Sequence, residues 1–121
     1  MSNFYTVMRH QADDNQLKID ITINPAHDIF KGHFPGQPVV PGVCMIAIVK
    51  ELMELHFQKS FQLTKAAQIK FLQLIVPEQD QVIQVTISWQ PAQNNSYPIT
   101  AQWQIRETVA FKLNGMLAAI D

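Results

Sequence analysis

Fourteen residues, Val43 to His56, run without a glycine or a proline, and the first seven of them carry no polar side chain. In a chain of 121 residues, no other feature constrains the fold as much. Met45, Val49, Leu52 and His56 recur at spacings of three and four, as do Ile46, Val49 and Met53. That is the period of a helix face. A helix that is apolar on every side of its first half is expected to be enclosed there, so the rest of the chain has to wrap around it. Charge begins at Lys50, Glu51 and Glu54, and the far half of the helix is expected to reach solvent.

The wrapping is read from the alternating stretches. Ile19, Ile21 and Ile23 alternate with Asp20, Thr22 and Asn24. Ile83, Val85, Ile87 and Trp89 alternate with Gln84, Thr86, Ser88 and Gln90. Ile99, Ala101, Trp103 and Ile105 alternate with Thr100, Gln102, Gln104 and Arg106. Each is the period-2 signature of a strand with one buried and one wet face, and it turns Trp89 and Trp103 toward the core. Asp13-Asp14-Asn15 predicts a hairpin turn between Phe4–Gln11 and Gln16–Asn24. The polar run Pro91 to Ser96 turns the chain between the two Trp-bearing strands, and Glu107-Thr108 turns it into a last strand in which Gly115 marks a bulge. The expected architecture is α+β: an antiparallel sheet of five or six strands curled around one central helix, the hotdog arrangement. Residues 1–121 are expected to form a single domain.

Composition removes several function classes. Nine basic against ten acidic residues give a net charge of -1, which argues against nucleic acid as the main partner. One cysteine, Cys44, allows no intrachain disulfide and no Cys-based zinc site, and the four histidines show no metal-ligand spacing. No metal or cofactor is implied. The longest near-apolar run, Val39 to Val49, has 11 residues and contains Pro41 and Gly42, whereas a membrane span needs about 20. Met1 to Phe4 lacks a basic region followed by an apolar stretch, so a soluble, cytoplasmic protein is expected.

Chemistry concentrates between the hairpin and the helix, in Phe30-Lys31-Gly32-His33-Phe34-Pro35-Gly36-Gln37-Pro38-Val39-Val40-Pro41-Gly42-Val43. Its prolines bias their predecessors toward extended geometry and make the loop rigid. It feeds a helix whose first N–H groups lack intrahelical partners. Those donors, with the positive end of the helix dipole, suit a carbonyl that becomes an oxyanion. His33 stands just upstream, and an imidazole near such a site is equipment for removing a proton alpha to a carbonyl. The same residues also describe a packed histidine in a stiff loop, and spacing alone leaves the function open.

The stretch Gly32-His33-Phe34-Pro35-Gly36-Gln37-Pro38-Val39-Val40-Pro41-Gly42-Val43 resembles the signature of bacterial 3-hydroxyacyl-acyl-carrier-protein dehydratases of the FabA/FabZ type. Ala66 to Phe71 and Val76 to Asp80 are similar to that family's strand and proline loop after the helix, and the resemblance runs from about Ile19 to Trp89. It implies a hotdog fold, a dimer built by joining two sheets edge to edge, and a tunnel for an acyl chain at the subunit interface. The implied substrate is a 3-hydroxyacyl thioester on the phosphopantetheine arm of acyl carrier protein, in fatty-acid or related lipid or polyene synthesis. His33 matches the family's catalytic histidine. Phe34 beside it, and the backbone N–H groups near Gly42 and Val43, match the substrate-binding positions, the latter holding the thioester carbonyl.

The chain departs from that pattern in two places: nothing in Met1 to Lys18 resembles the helical segment and His-Arg-x-Pro-Phe element of the shorter members, and the central helix differs at one position. The family's helix carboxylate, fourteen residues after its histidine, is Ala47 here. Glu51 is the nearest carboxylate on the same face, one turn or about 6 Å further along. Lys50 is a weaker substitute. The ordinary reading of Glu51 is a solvated charge beside Lys50 and Glu54. Three functional readings follow: a dehydratase with His33 as base and Glu51 as substitute acid; a catalytically impaired acyl-carrier-binding subunit paired with an active homologue; and a thioesterase on the same fold. The chain is expected to work as a homodimer or as a heterodimer with such a homologue. Lys31, Lys65 and Lys70 are the candidates for steering an acidic carrier protein, against a default of solvated surface lysines. His27-Asp28 is read as a loop or capping pair, and Cys44 as a buried inert thiol.

Overall fold

The computed structural model describes residues 3–32, 36 and 38–120. Two strands, β1 (Tyr5–Asp13) and β2 (Gln16–Ile23), open the chain. A short helix α1 (Ile29–Gly32) and a long helix α2 (Gly42–Phe57) follow. Strands β3 (Ser60–Phe71), β4 (Val82–Trp89), β5 (Ser96–Ile105) and β6 (Thr108–Ile120) complete it. The strands form one sheet in the order β1-β2-β4-β5-β6-β3, with every neighbouring pair antiparallel. The sheet packs its inner face on α2, which is the hotdog architecture that the alternating strands and the lone apolar helix imply.

The registers explain the core. Ile19, Val85, Trp103 and Phe111 are successive partners across four strands, and Leu17, Ile87, Ala101 and Leu113 form a second such row. All eight are buried against the helix face made by Cys44, Met45, Ile48, Val49, Leu52 and Met53. Both tryptophans point inward, as the alternation predicts. Each row continues onto β3, at Phe71 and Ile69 respectively, yet there the side chains are 60% and 38% exposed. Beyond β6, the inner face loses its cover.

Three expectations are corrected. Helix α2 starts at Gly42 and ends at Phe57, one residue further at each end, and Gln58 closes it in a left-handed conformation at φ 55. The first half of the helix is not enclosed all round: Val43 is 76% exposed, and Ile46 and Ala47 are half-buried. The physical reason is that the sheet covers one side of the helix only. Gly115 does sit at an irregularity, but the extra residues lie on the partner strand. Register shifts fall at Leu63/Lys65 and Ala66/Gln68 of β3, where a Cβ on Gly115 would run into the Lys65 carbonyl oxygen. A close backbone approach, not a bulge within β6, requires the glycine. Among the described residues no helix is long and apolar enough to cross a membrane.

Candidate functional site

The loop that enters α2 is fastened before the helix begins. The Val40 N–H donates to the Ile75 carbonyl at 2.8 Å, and both side chains are buried. The proline loop after β3 is itself held down by Leu72 and Gln73 N–H, which share the Ala110 carbonyl at 2.9 and 3.2 Å. The two stretches that carry the sequence resemblance are therefore clasped together, although more than thirty residues separate Val40 from Ile75.

Pro41 stands at the N-cap in extended conformation (φ -64, ψ 143) and provides no side-chain cap. The Cys44 and Met45 N–H groups turn back to its carbonyl at 3.0 and 3.2 Å. The Gly42 and Val43 N–H groups have no acceptor among the described residues, as expected for the first donors of a helix. Gly42 has a steric reason as well: the Phe71 ring lies against it, 2.5 Å from where a Cβ would stand. Phe71 also packs on Phe111 at a centroid distance of 5.3 Å. The aromatic side chain at the end of β3 thus roofs the helix start.

From Val43 an apolar cavity of about 220 Å³ extends beneath the helix. Val43, Ile46 and Ala47 form its helix wall, and Leu63, Leu113 and Leu117 face them from β3 and β6. Among the described lining residues Lys50 is the one with a polar side chain. Its aliphatic stem lies along the wall, while its ammonium is drawn to Glu54, 3.3 Å from each carboxylate oxygen. Glu54 also accepts from the Phe61 N–H at 2.8 Å and so ties the end of the helix to the start of β3.

A second, polar cavity of about 510 Å³ lies on the adjoining flank, where Glu51 and Glu54 meet Tyr5, Lys59 and Ser60. Here the solvated-charge reading of Glu51 is corrected. Glu51 is half-buried, and the Tyr5 hydroxyl donates to its Oε1 at 2.9 Å. Burial first, and then this bond and the neighbouring carboxylates, push the Tyr5 hydroxyl well above its ordinary pKa. No local signal marks this pair, because forty-six residues separate its members.

Of the candidate positions read from the sequence, Gly42, Val43 and Ala47 are brought together at the helix start, and Glu51 stands one turn beyond Ala47, facing the polar cavity. His33 and Phe34 lie outside the described residues. His27 is a capping residue: its Nδ1 accepts from the Ile29 N–H at 3.1 Å. Burial raises the Cys44 pKa, in keeping with an inert thiol. Lys31 pairs with Asp28 at 3.4 Å on the surface, and Lys65 and Lys70 are exposed on β3.

Residues 9–112 match the family model described as ApeI-like, the ApeI dehydratase. The 3-hydroxyacyl-[acyl-carrier-protein] dehydratase FabZ of Rickettsia bellii (strain OSU 85-389) is 31% identical over 108 residues, a match that covers 83% of this chain and 66% of that protein. The chain therefore spans just under two thirds of the length of this relative. Among solved structures, the dehydratase heterocomplex ApeI:P from Xenorhabdus doucetiae superposes with a TM-score of 0.80 at 20% identity, covering 93% of this chain and 96% of that one. A putative thioesterase from Shewanella oneidensis does so with a TM-score of 0.60 at 11% identity, covering 97% and 84%. At these identities the two structures speak for the fold.

Proposed function

The chain belongs to the ApeI-like dehydratase family, and from that premise we propose that it eliminates water from 3-hydroxyacyl thioesters carried by acyl carrier protein. One observation carries the proposal: Val43 contributes both an N–H without an acceptor among the described residues and the first wall residue of the apolar cavity. A thioester carbonyl held by the N–H groups of Gly42 and Val43 leaves its acyl chain at the mouth of that cavity. The helix dipole and the two donors stabilise the enolate oxygen that forms. His33, nine residues before Gly42, takes the proton from the α-carbon. The electron pair left behind forms the double bond, the C–O bond at the β-carbon breaks, and the hydroxyl leaves as water with a proton from an acid.

Ala47 cannot supply that proton. Glu51, held by Tyr5, is the nearest carboxyl along the helix. Positioned acids and bases each contribute about 10²–10⁴-fold, so the source of this proton decides between a working enzyme and a slow one. Ala47 also favours a second reading, in which the chain is an acyl-carrier-binding subunit whose partner homologue provides the acid. The uncovered inner face at Ile69 and Phe71, on an edge strand with one neighbour in the sheet, supports pairing through β3 with either a second copy or such a homologue. Residues 1–121 serve as a single domain in both readings.

The test is direct. Purified protein is incubated with a 3-hydroxyacyl-carrier thioester and its enoyl product, and hydration, dehydration and free thiol are followed. Turnover that falls at least 10²-fold in His33→Ala is the expected result. Unchanged turnover in Glu51→Gln removes Glu51 as the acid. A silent native protein that gains turnover on adding a homologue, or in Ala47→Glu, supports the subunit reading, and thiol release overturns both in favour of a thioesterase.

A further inference from the structure

A second cluster stands at the other end of α2, away from Gly42 and Val43, and the thioester reading does not use it. His56 lies in the last turn of the helix, and its ring packs on Phe57 and Trp89 at centroid distances of 4.9 and 5.7 Å. His10 stands exposed on the edge strand β1, with its ring edge to face against His56 at 5.8 Å. No spacing in the chain relates the two, since one belongs to the first strand and the other to the long helix.

An irregularity in β1 brings them together. Tyr5 and Val7 pair with Ile23 and Ile21 of β2, whose side chains are buried, so both take the inner face of the sheet. Strict alternation would turn Arg9 the same way. The register slips between Val7 and Arg9, however, and sets Arg9 opposite Asp20 and His10 opposite the buried Ile19. The extra residue thus turns a histidine toward the helix in place of an arginine. Re-aiming one side chain is what a bulge does, and bulges are frequent beside active sites.

Three properties of this spot suit a metal cation. Imidazole is a ligand for copper, zinc and nickel. Two imidazoles on one tetrahedral ion, with metal–nitrogen bonds of about 2.0–2.1 Å, set their ring centres about 5 Å apart, close to the 5.8 Å between His10 and His56. His56 is fixed by its two aromatic neighbours, while His10 has solvent beside it and room to turn its ring toward a shared ion. The C-terminal end of a helix carries a partial negative charge that favours a cation. We propose that His10 and His56 bind one divalent first-row transition metal, copper most tightly, through one ring nitrogen each, and that the ion ties the edge strand β1 to the end of α2. Among the described residues no histidine, cysteine or carboxylate completes a set of three with them, so the remaining coordination positions are open to water.

The test uses the full chain and the metals alone. Native protein is titrated calorimetrically near neutral pH with the chlorides of copper, zinc, nickel and magnesium. One ion per chain is expected, with affinity highest for copper and no binding of magnesium, which takes oxygen ligands. His10→Gln and His56→Gln are each expected to weaken copper binding by at least about tenfold, the loss usual even for a residue that only supports a metal ligand. His27→Gln, which alters a ring that caps α1, should leave it unchanged. A second readout does not depend on the variants: copper should broaden the ring-proton resonances of His10 and His56 in the native protein before those of any other histidine. Zinc at about 100 times its Kd should raise the ratio of folded to unfolded protein about 100-fold, seen as a higher melting midpoint that neither glutamine variant shows. Binding that survives either His10→Gln or His56→Gln, broadening centred on His27 or His33, or no heat with any of the metals overturns the proposal.

Discussion

Two cavities adjoin on helix α2, and they have opposite chemistry. The one at Val43, Ile46 and Ala47 is walled by leucines and isoleucines and holds no carboxylate among the described residues. The other, around Glu51 and Glu54, is ringed by Tyr5, Lys59 and Ser60. One turn of helix separates Ala47 from Glu51. The apolar flank stores its stability in packing. The polar flank engages its carboxylates in bonds to Tyr5, Lys50 and the Phe61 N–H. A carboxylate moved from the second flank to the first would leave those partners and enter a site with little to solvate it. The absence of an acid at Ala47 and the apolar cavity beside it thus belong together.

If that contrast is right, the two flanks should differ in what their side chains are worth. The largest effect is expected at Leu113, fully buried on the apolar flank: Leu113→Ala should cost about 2–5 kcal/mol, read as a lowered denaturation midpoint with an unchanged slope. Glu54→Ala removes the acceptor of the Phe61 N–H and the Lys50 partner, and a loss of about 2 kcal/mol is expected for a bond to a charged group. A Glu54 cost equal to that of Leu113 would dissolve the distinction.

Tyr5→Phe should cost about 1 kcal/mol at neutral pH. It also carries a pH signature. The Tyr5 pKa is raised in the folded protein above its ordinary value of 10.0, so the unfolded chain gives up this proton first. The stability it contributes is fully present below pH 10 and is lost as pH rises from there toward the folded value. Tyr5→Phe should flatten that alkaline loss in melting curves.

The smallest expected effect is on the acid side. His56, at the end of α2, is held below its ordinary pKa of 6.5 by burial first and by the His10 charge second, with the two rings edge to face at 5.8 Å. The unfolded chain binds this proton more readily. Stability is therefore retained above pH 6.5 and falls as pH drops below it. His10→Asn should shorten that fall, and an unchanged acid limb would show that burial alone sets it.

Much of the fold was legible because alternation and burial have the same cause. Ile19, Val85 and Trp103 had to face one way once a single apolar helix needed covering, and they do. Less was legible where partners are distant. Nothing near Tyr5 announces Glu51. Nothing near Gly42 announces that the Phe71 ring will occupy the space of its Cβ. The strand β3 was visible only through resemblance at its far end, because its exposed edge position leaves it without a clean alternation. The exposure of Val43 was misjudged for a related reason: composition shows that a segment is apolar, not how many sides of it a one-layer sheet can reach.

By itself the sequence determined the helix and the alternating strands, and it marked the proline-rich stretch after His33 and the alanine at position 47. These are local matters of dihedral preference, period and residue identity. The tertiary structure decided the rest. It clasped Val40 to Ile75, set Val43 against an apolar cavity that Leu63 and Leu117 line from the strands, and took Glu51 partly out of solvent to meet Tyr5. Each of these depends on strand order and register, which bring together residues that no local pattern relates.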